Sequence, residues 1–187
     1  MPTYLLRIDE TFPEKCIGKY LRDSNPDRFL FLSGAPIDVA IKPLKIAFNA
    51  SVLDLSFWDA LATDANLFLV FPRLADLFQD AAGNDVQMLR AIAMCNDGEL
   101  TNCHVMNITC RAHCIDHARS LYTRMSGSPA ILSFQRLVLK ECCLGPHAIA
   151  RESEYLPYVL VSASLRQAIV ASQVRGIRAI LPEELPA

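Results

Sequence analysis

The sequence predicts an α+β fold built on a mixed or mainly antiparallel sheet. Two stretches written to one pattern are the first reason. Residues 67–90 read LFLVFPRLADLFQDAAGNDVQMLR and residues 158–182 read YVLVSASLRQAIVASQVRGIRAILP. Laid over one another without a gap, Leu69 falls on Leu160, Val70 on Val161, Leu74 on Leu165, Phe78 on Ile169, Val86 on Ile177 and Leu89 on Ile180. The second reason is the number of short β-branched and aromatic runs elsewhere in the chain, enough for a substantial sheet.

Taken in chain order, RFLFLSG (28–34) and KPLKIAFN (42–49) are short strand candidates. FLVF (68–71) has the composition of a buried strand. Pro72 suits the first helical turn, where its missing N–H is no loss, and Leu74, Leu77 and Phe78 then recur at helical spacing. Gly83 stands just past that helix, where a left-handed residue is commonly Gly. VQMLRAIAM (86–94) is the next strand, CNDGEL (95–100) carries the residues of a hairpin turn, and HVMNI (104–108) returns. AILSFQRLVLK (130–140) is a further strand, while SPAI and LGPHA are turns. The second copy repeats the first: YVLV as strand, Ser162 as N-cap, Leu165, Ala168 and Ile169 on a helix face, Gly176 past its end, and IRAIL as strand. Two β-helix-β units result, about 67–90 and 158–181. Whether they share one sheet or build two lobes is open at this level.

The 187 residues suit a single domain, 1–187, with a core of ordinary size. A net charge of −2 with Lys and Arg scattered singly gives no basic stripe, which excludes direct nucleic-acid binding as an expectation. Charged residues break every apolar run well short of the ~18–20 residues of a membrane span. Arg7, Asp9 and Glu10 stand where a secretory signal needs its apolar centre, so a cytoplasmic protein is expected. The seven cysteines, odd in number and unevenly spaced, read as reduced thiols, and no structural disulfide is expected.

One cluster invites chemistry. CRAHCIDH places Cys110, His113, Cys114 and His117 so that a helix would carry all four on one face. Four ligands on one short helix cannot readily surround one ion tetrahedrally, so packing of small thiols and ordinary histidine contacts is the preferred reading. Cys142 and Cys143 lack the spacer of a redox pair. There is no glycine-rich phosphate loop and no G-x-S-x-G elbow. No catalytic residue, metal or cofactor is assigned. Among binding features, Asp54, Asp59 and Asp64 surround the single Trp58, which reads either as an interface anchor or as a core residue, and Asp97 and Glu99 sit on the probable hairpin tip.

HVMNITCRAHCIDHARS (104–120) and the closing YVLVSASLRQAIVASQVRGIRAILP together resemble the immunity proteins of bacterial polymorphic-toxin systems, in the group typified by a myxobacterial immunity protein. The resemblance runs from about residue 40 to 183. It is carried by Asn107 near a strand end, the Asp-x-x-x-Ser pattern of Asp116 and Ser120, and Val161, Ser162, Leu165 and Gly176 in the closing segment, all of which read as structural. The first 35 residues match nothing in the family, and the Cys/His enrichment replaces apolar residues expected there. The resemblance implies a non-enzymatic protein that binds a cognate toxin domain, a nuclease among the candidates, and neutralises it in the cytoplasm of the producing cell. Carboxylates could then stand in for the phosphates that a nuclease cleft meets. Two rivals are a metal- or thiol-dependent hydrolase using the Cys110/His113/Cys114/His117 segment, and a small-ligand domain with an apolar pocket between the units.

Overall fold

The structure, a computed structural model, describes residues 1–9, 11–38 and 42–185 and is mixed α+β, mostly sheet. Its strands form two large sheets. One has five strands in the order β13 (Ile177–Ile180), β1 (Thr3–Ile8), β12 (Val159–Ser162), β11 (Ile149–Glu152) and β8 (Arg111–Ala112). The other has six, in the order β2 (Lys19–Tyr20), β3 (Leu44–Ala47), β6 (Val86–Cys95), β7 (Gly98–Ile108), β5 (Phe68–Val70) and β4 (Ala60–Ala62). Neighbours are antiparallel except β11 with β8 and β3 with β6. A two-stranded ribbon, β9 (Leu121–Arg124) and β10 (Ile131–Arg136), lies outside both.

The longest helix, α2 (Pro72–Ala82), begins with Pro at its first position and buries Leu74, Ala75, Phe78 and Ala82 along one stripe. Gly83 ends it at φ 51°, its N–H returning to the Gln79 carbonyl. In α3 (Ala163–Ala171) the Ser162 hydroxyl accepts the Leu165 N–H at 3.2 Å, and Leu165 and Ile169 are the buried face. Here the residue next to the helix's C-cap, Gln173, already turns left-handed at φ 50°, and the expected Gly176, also at positive φ (101°), comes three residues later. Gly176 serves a different need: it passes so close to the Ala60 carbonyl that a Cβ would collide with it.

In each of the two look-alike stretches, strand, helix and strand follow in chain order, and the two strands are not neighbours. β7 lies between β5 and β6, and β1 lies between β12 and β13, so each pair is parallel across an intervening antiparallel strand. Aligned positions share layers. Val70, Leu74, Phe78 and Val86 meet Val161, Leu165, Ile169 and Ile177 in one central cluster. Leu69 and Leu89 face away into a second cluster, on the six-stranded sheet, and Leu160 and Ile180 into a third, on the five-stranded one. The period-2 alternation of a strand buried on both faces accounts for the division.

Several expectations change. RFLFLSG is no strand: Arg28–Leu32 is a 3₁₀ turn, because the Asp27 carboxylate caps the Phe29 N–H at 3.0 Å and buries Phe31 and Leu32. AILSFQRLVLK ends as a strand at Arg136, with only an isolated bridge from Ile115 to Leu139 beyond. The expected absence of a structural disulfide is overturned by Cys114–Cys143, whose Cα atoms lie 5.1 Å apart across 29 residues of sequence. The bond brackets the β9–β10 ribbon, which packs on the smallest of the three clusters and so has least burial of its own. Cysteine counting could not reveal that the turn at 141–146 folds back onto residue 114. Among the described residues no helix is long and apolar enough to cross a membrane.

Candidate functional site

The short helix α1 (Val52–Ser56) carries Asp54, one of the binding residues expected from sequence, and Trp58, Asp59 and Asp97 lie around it. Ser51 and Asp54 form a reciprocal capping box, the hydroxyl accepting the Asp54 N–H at 3.1 Å and the carboxylate accepting the Ser51 N–H at 3.1 Å. Asp97, at the β6–β7 hairpin tip, reaches across to accept the Val52 N–H at 2.7 Å. Lys15 donates to the other oxygen of Asp54 at 2.9 Å. That hydrogen bond first, and the Ser51 N–H next, hold the Asp54 carboxyl at about 2, below its usual range.

Leu55 points into the core, which turns Leu53 and Phe57, one helical turn apart, to solvent. Leu53 is 81% exposed and Phe57 56%. Trp58 is partly buried against the second cluster, with Phe12 4.9 Å away and the Phe57 ring at 5.1 Å, edge to face. The Arg175 guanidinium lies 4.2 Å over the Phe57 ring. Trp58 is therefore the platform, and the exposed tip belongs to Leu53 and Phe57, two residues the sequence reading did not single out. Their i,i+4 spacing was a signal, but a helix this short is hard to read by periodicity.

The remaining acids divide. Asp59 accepts the Arg175 N–H at 2.8 Å and pairs with Arg73 at 3.5 Å, latching the end of α1 to the connection between α3 and β13. Asp64 accepts the Tyr20 N–H at 2.8 Å and belongs to the β2 edge instead. Glu99 is an exposed strand residue opposite Met94. So the structure brings Asp54, Trp58, Asp59 and Asp97 to α1 and leaves Asp64 outside.

CRAHCIDH is not a helix. The segment is a short strand followed by a turn, and its four candidate ligands go three ways. Cys114 is the disulfide partner of Cys143. His117 Nε2 lies 3.0 Å from the Glu154 carboxylate and its Nδ1 2.9 Å from the Tyr122 hydroxyl, while His113 is 3.8 Å from the same carboxylate. The His117 hydrogen bond is the main influence that lowers the Glu154 carboxyl below its ordinary value. Cys110 points elsewhere, toward Asp85 and His147. Burial, then the Asp85 charge, push its thiol up to about 12, which keeps it protonated and poorly nucleophilic.

The residues that carried the family resemblance hold turns and layers. Asp116 accepts the N–H groups of Ala118 and Arg119 at 3.1 and 3.2 Å, and the Ser120 hydroxyl bridges the Val138 N–H and carbonyl at 3.0 and 3.1 Å. Buried Asn107 donates to the Ala35 carbonyl at 3.0 Å and to Gln87 at 3.1 Å. Val161 and Leu165 are in the central cluster, with Ser162 and Gly176 as described above. A cleft of about 560 Å³ on the five-stranded side is lined by Arg7, Arg119, Arg136, Phe134 and Tyr158, and none of these was singled out from sequence. No family model matches the chain, and no curated protein matches its sequence.

Proposed function

We propose that this protein is an immunity protein, which binds and neutralises a cognate bacterial toxin, delivered by secretion or by contact, without itself catalysing a reaction. One observation carries the reading beyond resemblance. Leu53 on α1 and Phe57 at its C-cap are both exposed to water, Phe57 edge-on to the Trp58 ring, on a helix whose first turn is held by the carboxylates of Asp54 and Asp97. Large apolar side chains held rigidly from below and rimmed by charge are what a protein interface uses as anchors. On this reading the two strand–helix–strand stretches are similar units that build the layers behind α1, and the toxin covers roughly 1,600 Å² in total.

The experiment is growth rescue. The candidate toxin domain encoded beside this gene is expressed in a sensitive host with and without the protein, and the purified pair is assayed for a complex. Rescue with a stoichiometric complex is the expected result. Continued killing with both proteins soluble and no complex would refute the pairing. Phe57→Ala and Leu53→Ala should each weaken the complex at least tenfold, read by calorimetry, while leaving the thermal midpoint of the free protein nearly unchanged.

Cytoplasmic action is part of the proposal, and Cys114–Cys143 bears on it, since such bonds persist mainly in oxidising compartments. Acid trapping of thiols in intact cells decides the point. A reduced pair fits inhibition in the cytoplasm, whereas an oxidised pair moves it elsewhere. The hydrolase rival retains only Cys110 of its four residues beside a histidine, and that thiol is held protonated.

A further inference from the structure

We infer that Asp85, Cys110 and His147 form a binding site for a zinc-class divalent cation where the two sheets join. Far apart in sequence, the three residues place a carboxylate oxygen, a thiol sulfur and an imidazole nitrogen within 4.8 Å of one another. Asp85 Oδ1 lies 2.7 Å from His147 Nδ1 and 3.8 Å from Cys110 Sγ. Around a tetrahedral ion with ordinary zinc bond lengths, such donor atoms stand about 3.4–3.6 Å apart. The oxygen–nitrogen pair therefore opens by under roughly 1 Å, and the oxygen–sulfur pair closes by a few tenths, a side-chain adjustment within reach of these bond lengths.

The surroundings hold the donors in place. The second carboxylate oxygen of Asp85 already accepts the Ala148 N–H at 2.7 Å, which aims the first oxygen at the other donors. Cys110 Sγ sits 3.0 Å from the Ile149 carbonyl. The Asp85 carboxylate and the His147 imidazole are partly exposed, so an ion reaches the donors from solvent.

The three backbone positions explain what an ion would do there. Asp85 ends the turn that feeds β6, Cys110 lies between β7 and β8, and His147 ends the turn that feeds β11. β6 and β7 belong to the six-stranded sheet, and β8 and β11 to the five-stranded one. An ion held by all three clips the sheets together. This is the loop-closing ligand arrangement of separate segments that the CRAHCIDH helix face could not provide. Three protein donors leave a fourth position for water or a partner's side chain. A thiolate and an imidazole in the set favour zinc over magnesium or calcium. On binding, the Cys110 S–H proton leaves to solvent as the metal–sulfur bond forms. Nδ1 gives up the hydrogen bond to Asp85, and in the neutral imidazole the ring proton sits on Nε2.

The test uses the full chain, stripped with a chelator and titrated with Co²⁺ and then Zn²⁺. One equivalent of Co²⁺ should produce a thiolate charge-transfer band and intense visible bands of a tetrahedral ion, both removed by Zn²⁺. Zn²⁺ at a hundredfold excess over Kd should raise the thermal midpoint by roughly 5–10 °C. Cys110→Ser should abolish the charge-transfer band, and His147→Gln should weaken binding at least tenfold. His147→Gln is the check if Cys110→Ser folds poorly. Cys142→Ser, which removes an exposed thiol outside the set, should leave the spectrum unchanged. No thiolate band, or a band that survives His147→Gln and vanishes with Cys142→Ser, overturns the site.

Discussion

At the scale of single residues, the buried and exposed carboxylates carry opposite lessons. Glu152 is wholly buried on β11 and accepts two backbone N–H groups, from Cys114 at 2.9 Å and Glu154 at 3.0 Å. Its neighbour Arg151 is equally enclosed and donates to the Leu156 carbonyl at 2.6 Å. Burial, with the Arg111 charge beside it, brings its pKa down to about 10. Glu152→Ala leaves both N–H groups without an acceptor, and we expect a loss of roughly 2–4 kcal/mol in urea unfolding. Asp54 is only partly buried, its side chain 37% exposed, and its effect is a matter of pH. Its folded-state value of about 2 lies below the ordinary 3.8, so its stabilisation is complete above 3.8 and disappears as pH falls through about 2. Asp54→Asn should therefore melt below the parent protein near neutral pH, and the two midpoints should converge in strong acid. A gap that persists unchanged there would contradict the assignment of the shift to Lys15 and Ser51.

At the scale of elements, the helices were legible where three signals agreed. Pro72, the Leu74/Phe78 spacing and Gly83 fix α2 from both ends and along its face. For α3 the start and the buried face were marked, but not the end. Ser162 accepts the Leu165 N–H as the sequence suggests, and Ser162→Ala should cost about 1 kcal/mol by thermal denaturation. Its end carries no such mark, because the chain turns left-handed at Gln173, a residue type rarely so, before it reaches Gly176. RFLFLSG failed for a related reason. Four apolar residues in a row look like strand, and only the Asp27 cap, a polar contact formed after the chain turns, selects the 3₁₀ geometry.

At the scale of the whole molecule, the Cys114–Cys143 bond closes a loop that carries the β9–β10 ribbon. Loop-closure entropy over such a span is worth about 3–4 kcal/mol. Cys143→Ser should lower unfolding stability by that order, and a reducing agent should do the same to the parent protein while leaving Cys143→Ser unaffected. Equal sensitivity of the two to reductant would show that another thiol is responsible. The ribbon should loosen first, seen as faster amide exchange between residues 121 and 136 than in the large sheets.

The sequence by itself determined the local periods: which residues alternate in strands, which recur on helix faces, and that one apolar pattern occurs twice. These are fixed by the geometry of a few consecutive residues, so a short window suffices. Only the tertiary structure decided that the repeated stretches lie on two sheets with their helices at a common centre. It also decided that a third strand separates the strands of each stretch, and that α1 shows Leu53 and Phe57 to water. The same holds for Cys114 meeting Cys143, and for Asp85 and His147 coming to Cys110 from distant turns. Each of these depends on contacts between residues far apart in sequence. Such contacts are chosen by how whole layers pack, and no local spacing records that choice.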